Sequence, residues 1–163
     1  MMTLVETVTV GSGGAASIEF TGIPQDGKDL KILLSARGNG TIFRMTLNSD
    51  TGSNYQERTI RGNGATASSS SFPSLTYLLA GEQSDSTYTA DTFGSASIYL
   101  SNYTSVTAKS ISHDSVSENN AATAFQKLGA SSYTGTSPIT SVQLFQSSSN
   151  FVEHTTASLY SIS

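Results

Sequence analysis

The sequence predicts an all-β chain that folds as an antiparallel two-sheet β-sandwich, with a jelly roll as the expected topology. Thr, Val, Ile, Tyr and Phe, which suit a pleated surface, occur throughout the 163 residues, and Ser and Thr together make up roughly a third of them. Short runs of alternating apolar and polar residues are separated by Gly, Ser, Asn and Asp. Neither a βαβ pattern nor a repeat of about 20 to 50 residues is visible. The length fits one domain over residues 1–163.

Ten runs alternate clearly enough to predict strands. In the run 29–38, for example, Leu30, Ile32 and Leu34 share one face while the intervening residues are more polar. The polar run 55–61 is expected at a sheet edge or against solvent, because charged side chains discourage pairing of a free edge. The predicted strands cover residues 4–10, 16–20, 29–38, 41–48, 55–61, 75–81, 93–103, 106–115, 139–146 and 156–162.

Two stretches alternate less regularly. Residues 62–74, rich in Gly and Ser, are predicted to form a mobile loop. Residues 119–130 place Ala121, Phe125 and Leu128 at i, i+4 and i+7, the spacing of a helix. The following glycine and the flanking Ser and Thr residues weaken a helix, so a strand is the preferred prediction.

Charge and composition exclude several function classes. The formal net charge is −4, and the eight Lys and Arg residues form no cluster that could neutralise a row of phosphates. The chain has no Cys, so it holds no disulfide and no thiolate metal site. No apolar run approaches the about 20 residues of a membrane-spanning helix, and the first residues lack the basic and apolar regions of a signal peptide. We therefore expect neither a nucleic-acid partner nor a membrane partner.

The segment LNSDTGSNYQERTIRGNG, residues 47–64, resembles a calcium loop in composition. An EF-hand loop requires a Gly at its centre and a bidentate Glu at its last position. Starting from Asn48, Gly52 falls one position early and Thr59 occupies the last position, which leaves Asp50 as the one carboxylate near the turn. Asn, Asp and Gly also tolerate the positive φ angles of tight turns. The segment is therefore predicted to be a hairpin turn between the strands at 41–48 and 55–61.

The two histidines carry the other candidate sites. His113 stands beside Asp114 and between Ser112 and Ser115, the residue types of a hydrolase triad. About thirty Ser residues make such a neighbourhood expected by chance, and no nucleophile-elbow sequence is present. His113 and His154 are too far apart in sequence to indicate a metal site, so both are expected at a surface or an interface.

Acidic and aromatic residues give no stronger catalytic signal. Paired carboxylates could support glycoside hydrolysis, but every candidate acid lies in a polar stretch, where a solvated carboxylate is simpler. The candidate acids are Glu57, Asp85, Asp91, Asp114, Glu118 and Glu153. Four tyrosines are expected to be exposed, where they would stack on sugars or contact a partner; these are Tyr55, Tyr88, Tyr103 and Tyr133. The sequence therefore predicts no catalytic, metal-binding or cofactor-binding residue, and no cofactor.

Several segments together resemble small virion proteins of tailed bacteriophages. The resemblance runs nearly from end to end and consists of strand and turn patterns. It is carried by TVTVGSGGAASIEFTGIP (7–24), LNSDTGSNYQERTIRGNG (47–64), FGSASIYLSNY (93–103), ISHDSVSENNAATAFQ (111–126) and ITSVQLFQSSSNFVEHTTASLYSI (139–162). Such proteins are jelly-roll or sandwich modules that decorate or cement capsids, or form the adhesive tips of head and tail fibres, often as trimers.

The resemblance implies a non-enzymatic virion structural protein, assembled in the host cytoplasm. We expect a capsid decoration or cement protein that binds the major capsid shell as a homo-oligomer, with a homotrimer favoured, and stabilises it. The strand at 3–10 is a candidate for exchange with a neighbour or for augmentation of its sheet, because it is terminal, apolar on one face and followed by a Gly-rich segment. The alternative is a receptor-binding fibre tip that contacts host surface glycans. A glycan-degrading enzyme would need paired acids in a cleft.

Overall fold

The computed structural model describes residues 1–120, 124–147 and 149–163, and every regular element in these ranges is a β-strand. No helix in the described ranges could span a membrane. The strands are β1 (Met2–Thr9), β2 (Ser17–Thr21), β3 (Asp29–Gly38), β4 (Ile42–Leu47), β5 (Tyr55–Gly62), β6 (Ala67–Leu75), β7 (Leu78–Glu82), β8 (Ser84–Asp85), β9 (Gly94–Leu100), β10 (Lys109–Glu118), β11 (Ala124–Tyr133), β12 (Ser141–Phe145) and β13 (Thr156–Ile162).

The strands form two antiparallel sheets, which confirms the predicted β-sandwich. The larger sheet has the order β1-β13-β3-β9-β10-β11-β5-β6, and the short β8 adds a parallel pair at the end of β3. The smaller sheet has the order β2-β12-β4-β7. The inner side of each sheet faces the other, and we call the opposite side of the larger sheet its outer face.

One hydrophobic cluster fills the space between the sheets. The alternation of β3 sends Leu30, Ile32 and Leu34 inward, where they are almost completely buried together with Ile18 and Phe20 of β2. Each such side chain contributes about 1.5–3 kcal/mol when it leaves water. The sandwich therefore depends on the same period-two pattern that predicted its strands.

The segment 48–54 is not a hairpin turn, so that prediction is wrong. β4 belongs to the smaller sheet and pairs with β12 and β7, whereas β5 belongs to the larger sheet and pairs with β11 and β6. The segment instead carries the chain from one sheet to the other. The expected left-handed backbone is present at Asn48 and Ser49, with φ of 52° and 55°.

Two further predictions are corrected on the neighbouring strands. Much of the predicted loop at 62–74 is strand β6, which pairs along β5. β5 is consequently not an edge strand, because it lies between β11 and β6. Its odd-numbered residues are buried from Tyr55 to Thr59, whereas Gln56, Arg58 and Ile60 are exposed, so the expected contact with solvent holds for one face of the strand.

The ambiguous stretch at 119–130 is a strand from Ala124 onward, as preferred, while Ala121 lies outside the described residues. Phe125 and Leu128 fall on opposite faces of β11, and Leu128 is exposed. Their helical spacing therefore has no structural counterpart.

Candidate functional site on the outer face of the larger sheet

A broad uneven surface lies on the outer face over β9, β10, β11, β5 and β6. Three adjoining depressions of about 590, 460 and 450 Å³ lie along it. The first and second share Arg58 and Ala130, and the second and third share Ile60 and Leu128.

The centre of this surface is apolar. Ile60 pairs directly with Leu128 across β5 and β11, and Leu128 pairs with Asp114 of β10. Val116 is two residues beyond Asp114 on the same face. Ile60, Leu128 and Val116 are 57%, 59% and 39% exposed, and we call these three the apolar patch. Contiguous exposed aliphatic side chains on a sheet commonly mark an interaction site.

Small hydroxyl side chains surround the apolar patch, and long charged ones are scarce. The serines that line the three depressions include Ser69, Ser71, Ser95, Ser110, Ser112 and Ser132. The charges on this part of the face belong to Arg58 and Asp114, and neither forms an ion pair within the described ranges. Serine loses little conformational entropy when it is buried, so covering this surface costs less than covering one rich in Lys or Glu.

One end of the surface is more polar. Tyr99, Gln56 and Arg58 line the depression of about 590 Å³ together with serines. The Tyr99 hydroxyl donates to Asp29 Oδ2 at 2.6 Å, and this hydrogen bond raises the pKa of Tyr99. The hydroxyl is therefore held in a fixed, protonated position at the rim.

Glu57, Lys127 and His113 form a buried cluster beneath the apolar patch, on the inner side of the same strands, and we call it the charged cluster after its Glu57–Lys127 ion pair. Glu57 Oε1 is 3.0 Å from Lys127 Nζ and 3.4 Å from His113 Nε2. Glu57 Oε2 accepts a hydrogen bond from the Leu79 backbone N–H of β7 at 2.8 Å, and Lys127 Nζ donates to the Leu79 carbonyl. The charged cluster therefore joins β5, β10 and β11 of one sheet to β7 of the other.

The charged cluster is almost free of solvent. The side chains of Glu57, His113 and Lys127 are 0%, 1% and 6% exposed. Burial acts to raise the pKa of Glu57, but the contact with His113 and the charge of Lys127 outweigh it and hold that pKa below its usual value. Apart from the ion-pair contacts, Glu57 Oε1 and both ring nitrogens of His113 lack hydrogen bonds to described residues.

The sequence-based placement of His113 was wrong, because its ring is buried between the sheets. Asp114 and Ser112 point to the outer face, as neighbours in a strand must. Ser115 is buried, and its hydroxyl accepts a hydrogen bond from the Glu82 backbone N–H at 2.8 Å. The four residues considered for a hydrolase triad therefore lie on two sides of the sheet. His154 is exposed, as expected.

The expected exposure of the four tyrosines and of the candidate acids is correct for only some of them. Tyr55, Tyr103 and Tyr133 are buried and cannot offer a ring face to a sugar, whereas Tyr88 is half-buried. Glu57 is buried rather than solvated. Of the remaining candidate acids, Asp91, Asp114, Glu118 and Glu153 are exposed and Asp85 is half-buried.

Asp50 organises the connection between the sheets. Its carboxylate accepts hydrogen bonds from the Gly52 backbone N–H, the Asn54 amide and the Tyr133 hydroxyl at 2.7, 2.8 and 2.8 Å. These bonds, led by that of Gly52, lower the pKa of Asp50. Tyr133 stacks on Tyr55 with ring centroids 4.9 Å apart, and burial raises the pKa of Tyr55 to about 12. Within the described ranges, no group of three His, Cys, Asp or Glu residues could hold a metal ion.

Sequence reasoning missed the apolar patch. The even-numbered residues of β5, β10 and β11 form this patch, but the sequence pattern alone does not reveal that these three strands are neighbours.

The chain matches no family model, no curated protein and no solved structure. The likeness to phage virion proteins therefore stays a prediction.

Proposed function

We propose that this chain is a non-enzymatic virion structural protein that decorates a capsid as a homo-oligomer and docks through the apolar patch. The observation that carries the proposal is the contiguous exposure of Ile60, Leu128 and Val116 on a sheet face that is otherwise lined by serine. A binding protein needs such a surface, and an assembled shell supplies a large, repeated partner. Because the protein would bind only the assembled shell, it would stabilise that state by mass action.

The binding free energy available from the apolar patch of one copy is small, so tight binding requires several copies. Each side chain of the apolar patch is about half exposed, so its burial would contribute about 1 kcal/mol. One copy would therefore bind weakly through these side chains alone. Several copies joined in one oligomer would bind much more tightly, because the second contact becomes intramolecular.

The strand order supports a jelly-roll interpretation. Without β5, β6, β10 and β11, four strands in the order β1-β13-β3-β9 face four in the order β2-β12-β4-β7. Eight strands in two such sheets are the number a jelly roll requires. On this interpretation β5 with β6 and β10 with β11 are two insertions, and together they carry the entire apolar patch. Binding surfaces are commonly added to a fold in this way.

Co-sedimentation with undecorated capsids tests the proposal. We expect Ile60→Asp and Leu128→Asp to remove binding while thermal unfolding stays near that of the wild type, since both positions are exposed. Val106→Asp is the matched control, because Val106 is 74% exposed in the loop between β9 and β10 and lines none of the three depressions. Equal binding by all three variants would contradict docking through the apolar patch. A copy number per virion far below that of the major capsid protein would contradict decoration.

A receptor-binding fibre tip is the second candidate, and the polar end of the outer face favours it. Tyr99, Gln56 and Arg58 offer a hydroxyl, an amide and a guanidinium in one depression, the groups that bind sugar hydroxyls. Binding of purified protein to a glycan array, lost in Arg58→Ala and kept in Ile60→Asp, would favour this function. Binding to capsids but not to glycans would exclude it.

A further inference from the structure

The larger sheet has two free edges at its opposite ends. Within the described ranges, β1 pairs only with β13, and β6 pairs only with β5. One side of each edge strand therefore presents backbone N–H and C=O groups without a strand partner. Such an edge is a template for pairing with another chain unless charge, proline, a bulge or a covering segment protects it.

Each edge strand has one register shift, between Leu4 and Glu6 in β1 and between Phe72 and Leu75 in β6, and the rest of each edge carries little protection. β6 spans Ala67–Leu75 with the sequence ASSSSFPSL, which contains no charged residue and has its proline near the end. Residues 67–71 are all exposed. β1 spans Met2–Thr9 with Glu6 as its one charged residue. Outside these shifts, residues 67–72 of β6 and residues 6–9 of β1 are regular, and these two stretches can pair with each other.

The direction of the strands makes the two edges complementary. Eight strands lie on the path from β1 to β6, and each neighbouring pair is antiparallel. Because the number is even, β1 and β6 run in opposite directions. A second copy rotated about an axis parallel to the strands therefore brings its β1 antiparallel to β6 of the first. Antiparallel ladders are the more stable kind.

We propose that copies of this chain associate head to tail, with β6 of one copy pairing with β1 of the next to continue the larger sheet across the interface. This inference specifies how the homo-oligomer of the proposed function forms, and it rests on that part of it. An interface between two different edges closes into a ring when the rotation permits. Pairing of β1 with its own copy in a register centred near Glu6 is less favourable, since the two Glu6 carboxylates would approach each other.

The head-to-tail arrangement also determines where the apolar patches lie in the oligomer. Ring formation by rotation about an axis parallel to the strands keeps every outer face on the same side of the continued sheet. β5 lies next to β6, so the patch of each copy lies close to the junction with its neighbour. In such a ring the outer faces point along the radii, so the apolar patches lie around the ring at intervals of one sheet width.

Because the native chain has no cysteine, introduced cysteines report directly on this interface. Thr7 and Ser69 lie on the outer face of β1 and β6, as their pairing with Ser158 and Ile60 indicates. With a short bis-maleimide, we expect the double variant T7C/S69C to give dimers and larger species on a denaturing gel. A mixture of T7C and S69C should give dimers only, and each single variant alone should give none.

The other results are equally decisive. Dimers formed by S69C alone, or by T7C alone, would show pairing between identical edges and overturn the head-to-tail arrangement. Leu4→Cys in place of T7C covers a shifted register, because Leu4 faces the same side of β1. Absence of cross-links in both double variants, at the background level of Val106→Cys, would also overturn it.

Proline substitution gives an independent test by light scattering. Alternate residues of an edge strand direct their N–H toward and away from the neighbouring strand, so both Ser69→Pro and Ser70→Pro are needed. The variant whose lost N–H points away from β5 should retain wild-type unfolding yet become monomeric. A wild-type protein that is monomeric at high concentration would overturn the inference. Capsid binding by such a monomer would leave the proposed docking surface intact, so the two failures are distinguishable.

Discussion

Removing one charge from the buried cluster of Glu57, His113 and Lys127 should strongly destabilise the sandwich. Glu57→Gln keeps the shape of the side chain but leaves the Lys127 ammonium without its counter-ion in a site where the side chain is 6% exposed. Loss of one partner of a buried ion pair costs about 3–5 kcal/mol, because the other charge stays desolvated. For a chain of this length that corresponds to a fall in Tm of roughly 6–20 °C.

A double-mutant cycle separates the ion pair from simple packing. Lys127→Met alone should cost a similar amount, since it leaves the Glu57 carboxylate buried beside a neutral side chain. The double variant E57Q/K127M should be more stable than the sum of the single losses predicts, because it leaves neither charge unpaired. Glu153→Gln, an exposed acid, is the control and should change the free energy of unfolding by less than about 0.5 kcal/mol.

The stability lost in Glu57→Gln should depend on pH. The folded-state pKa of Glu57 is below its usual value, so its contribution is complete above about pH 4.3 and is lost as the pH falls through the folded-state pKa. Urea unfolding from pH 7 downward should therefore show a difference between wild type and E57Q that shrinks below about pH 4.3. A difference under about 1 kcal/mol at pH 7 would refute the assigned role of the ion pair.

Three further substitutions test other parts of the structure. Gly129→Ala should unfold at a lower temperature, because its Cβ would lie 1.9 Å from His113 Nε2, and the double variant G129A/H113A should recover part of the loss. Arg37→Met should cost about 3 kcal/mol or more and increase proteolysis at 86–92, since the guanidinium donates to the carbonyls of residues 86, 88, 89 and 92; unchanged proteolysis would contradict this role. Asp50→Asn should cost about 1–2 kcal/mol, because it weakens three hydrogen bonds. Excess calcium should leave the Tm of the wild type and the Tm of this variant nearly unchanged.

The strands could be predicted from the sequence because alternation is a local property. In β3, residues 30, 32 and 34 are buried between more exposed neighbours, and this pattern follows directly from the side chains. The assignment of strands to sheets could not be predicted in the same way. Leu47 pairs with Val142 and Tyr55 with Tyr133, contacts that link distant parts of the chain. A turn-like segment between two strands fits a hairpin and a sheet crossing equally well.

The buried charges escaped sequence reasoning for a different reason. A charged residue in an alternating run is ordinarily assigned to the solvent side, since burying an unpaired charge is costly. Glu57 and Lys127 are buried only because β5 and β11 are neighbours and β7 supplies main-chain partners. β6 was missed because four consecutive serines show no alternation, and its pairing with β5 alone defines it as a strand.

The charged cluster and the apolar patch occupy opposite sides of the same three strands. Substitutions in the two places should therefore have different effects on stability and on docking. β7, an edge strand of the smaller sheet, packs on the inner side of β5, β10 and β11. The ion pairs and the Leu79 main-chain contacts hold these strands in register there, so the outer side is free to carry exposed aliphatic residues. A substitution in the cluster should therefore weaken both stability and docking, whereas one in the patch should weaken docking alone. Capsid binding measured at equal fraction folded distinguishes the two, because only the patch variants should then remain defective.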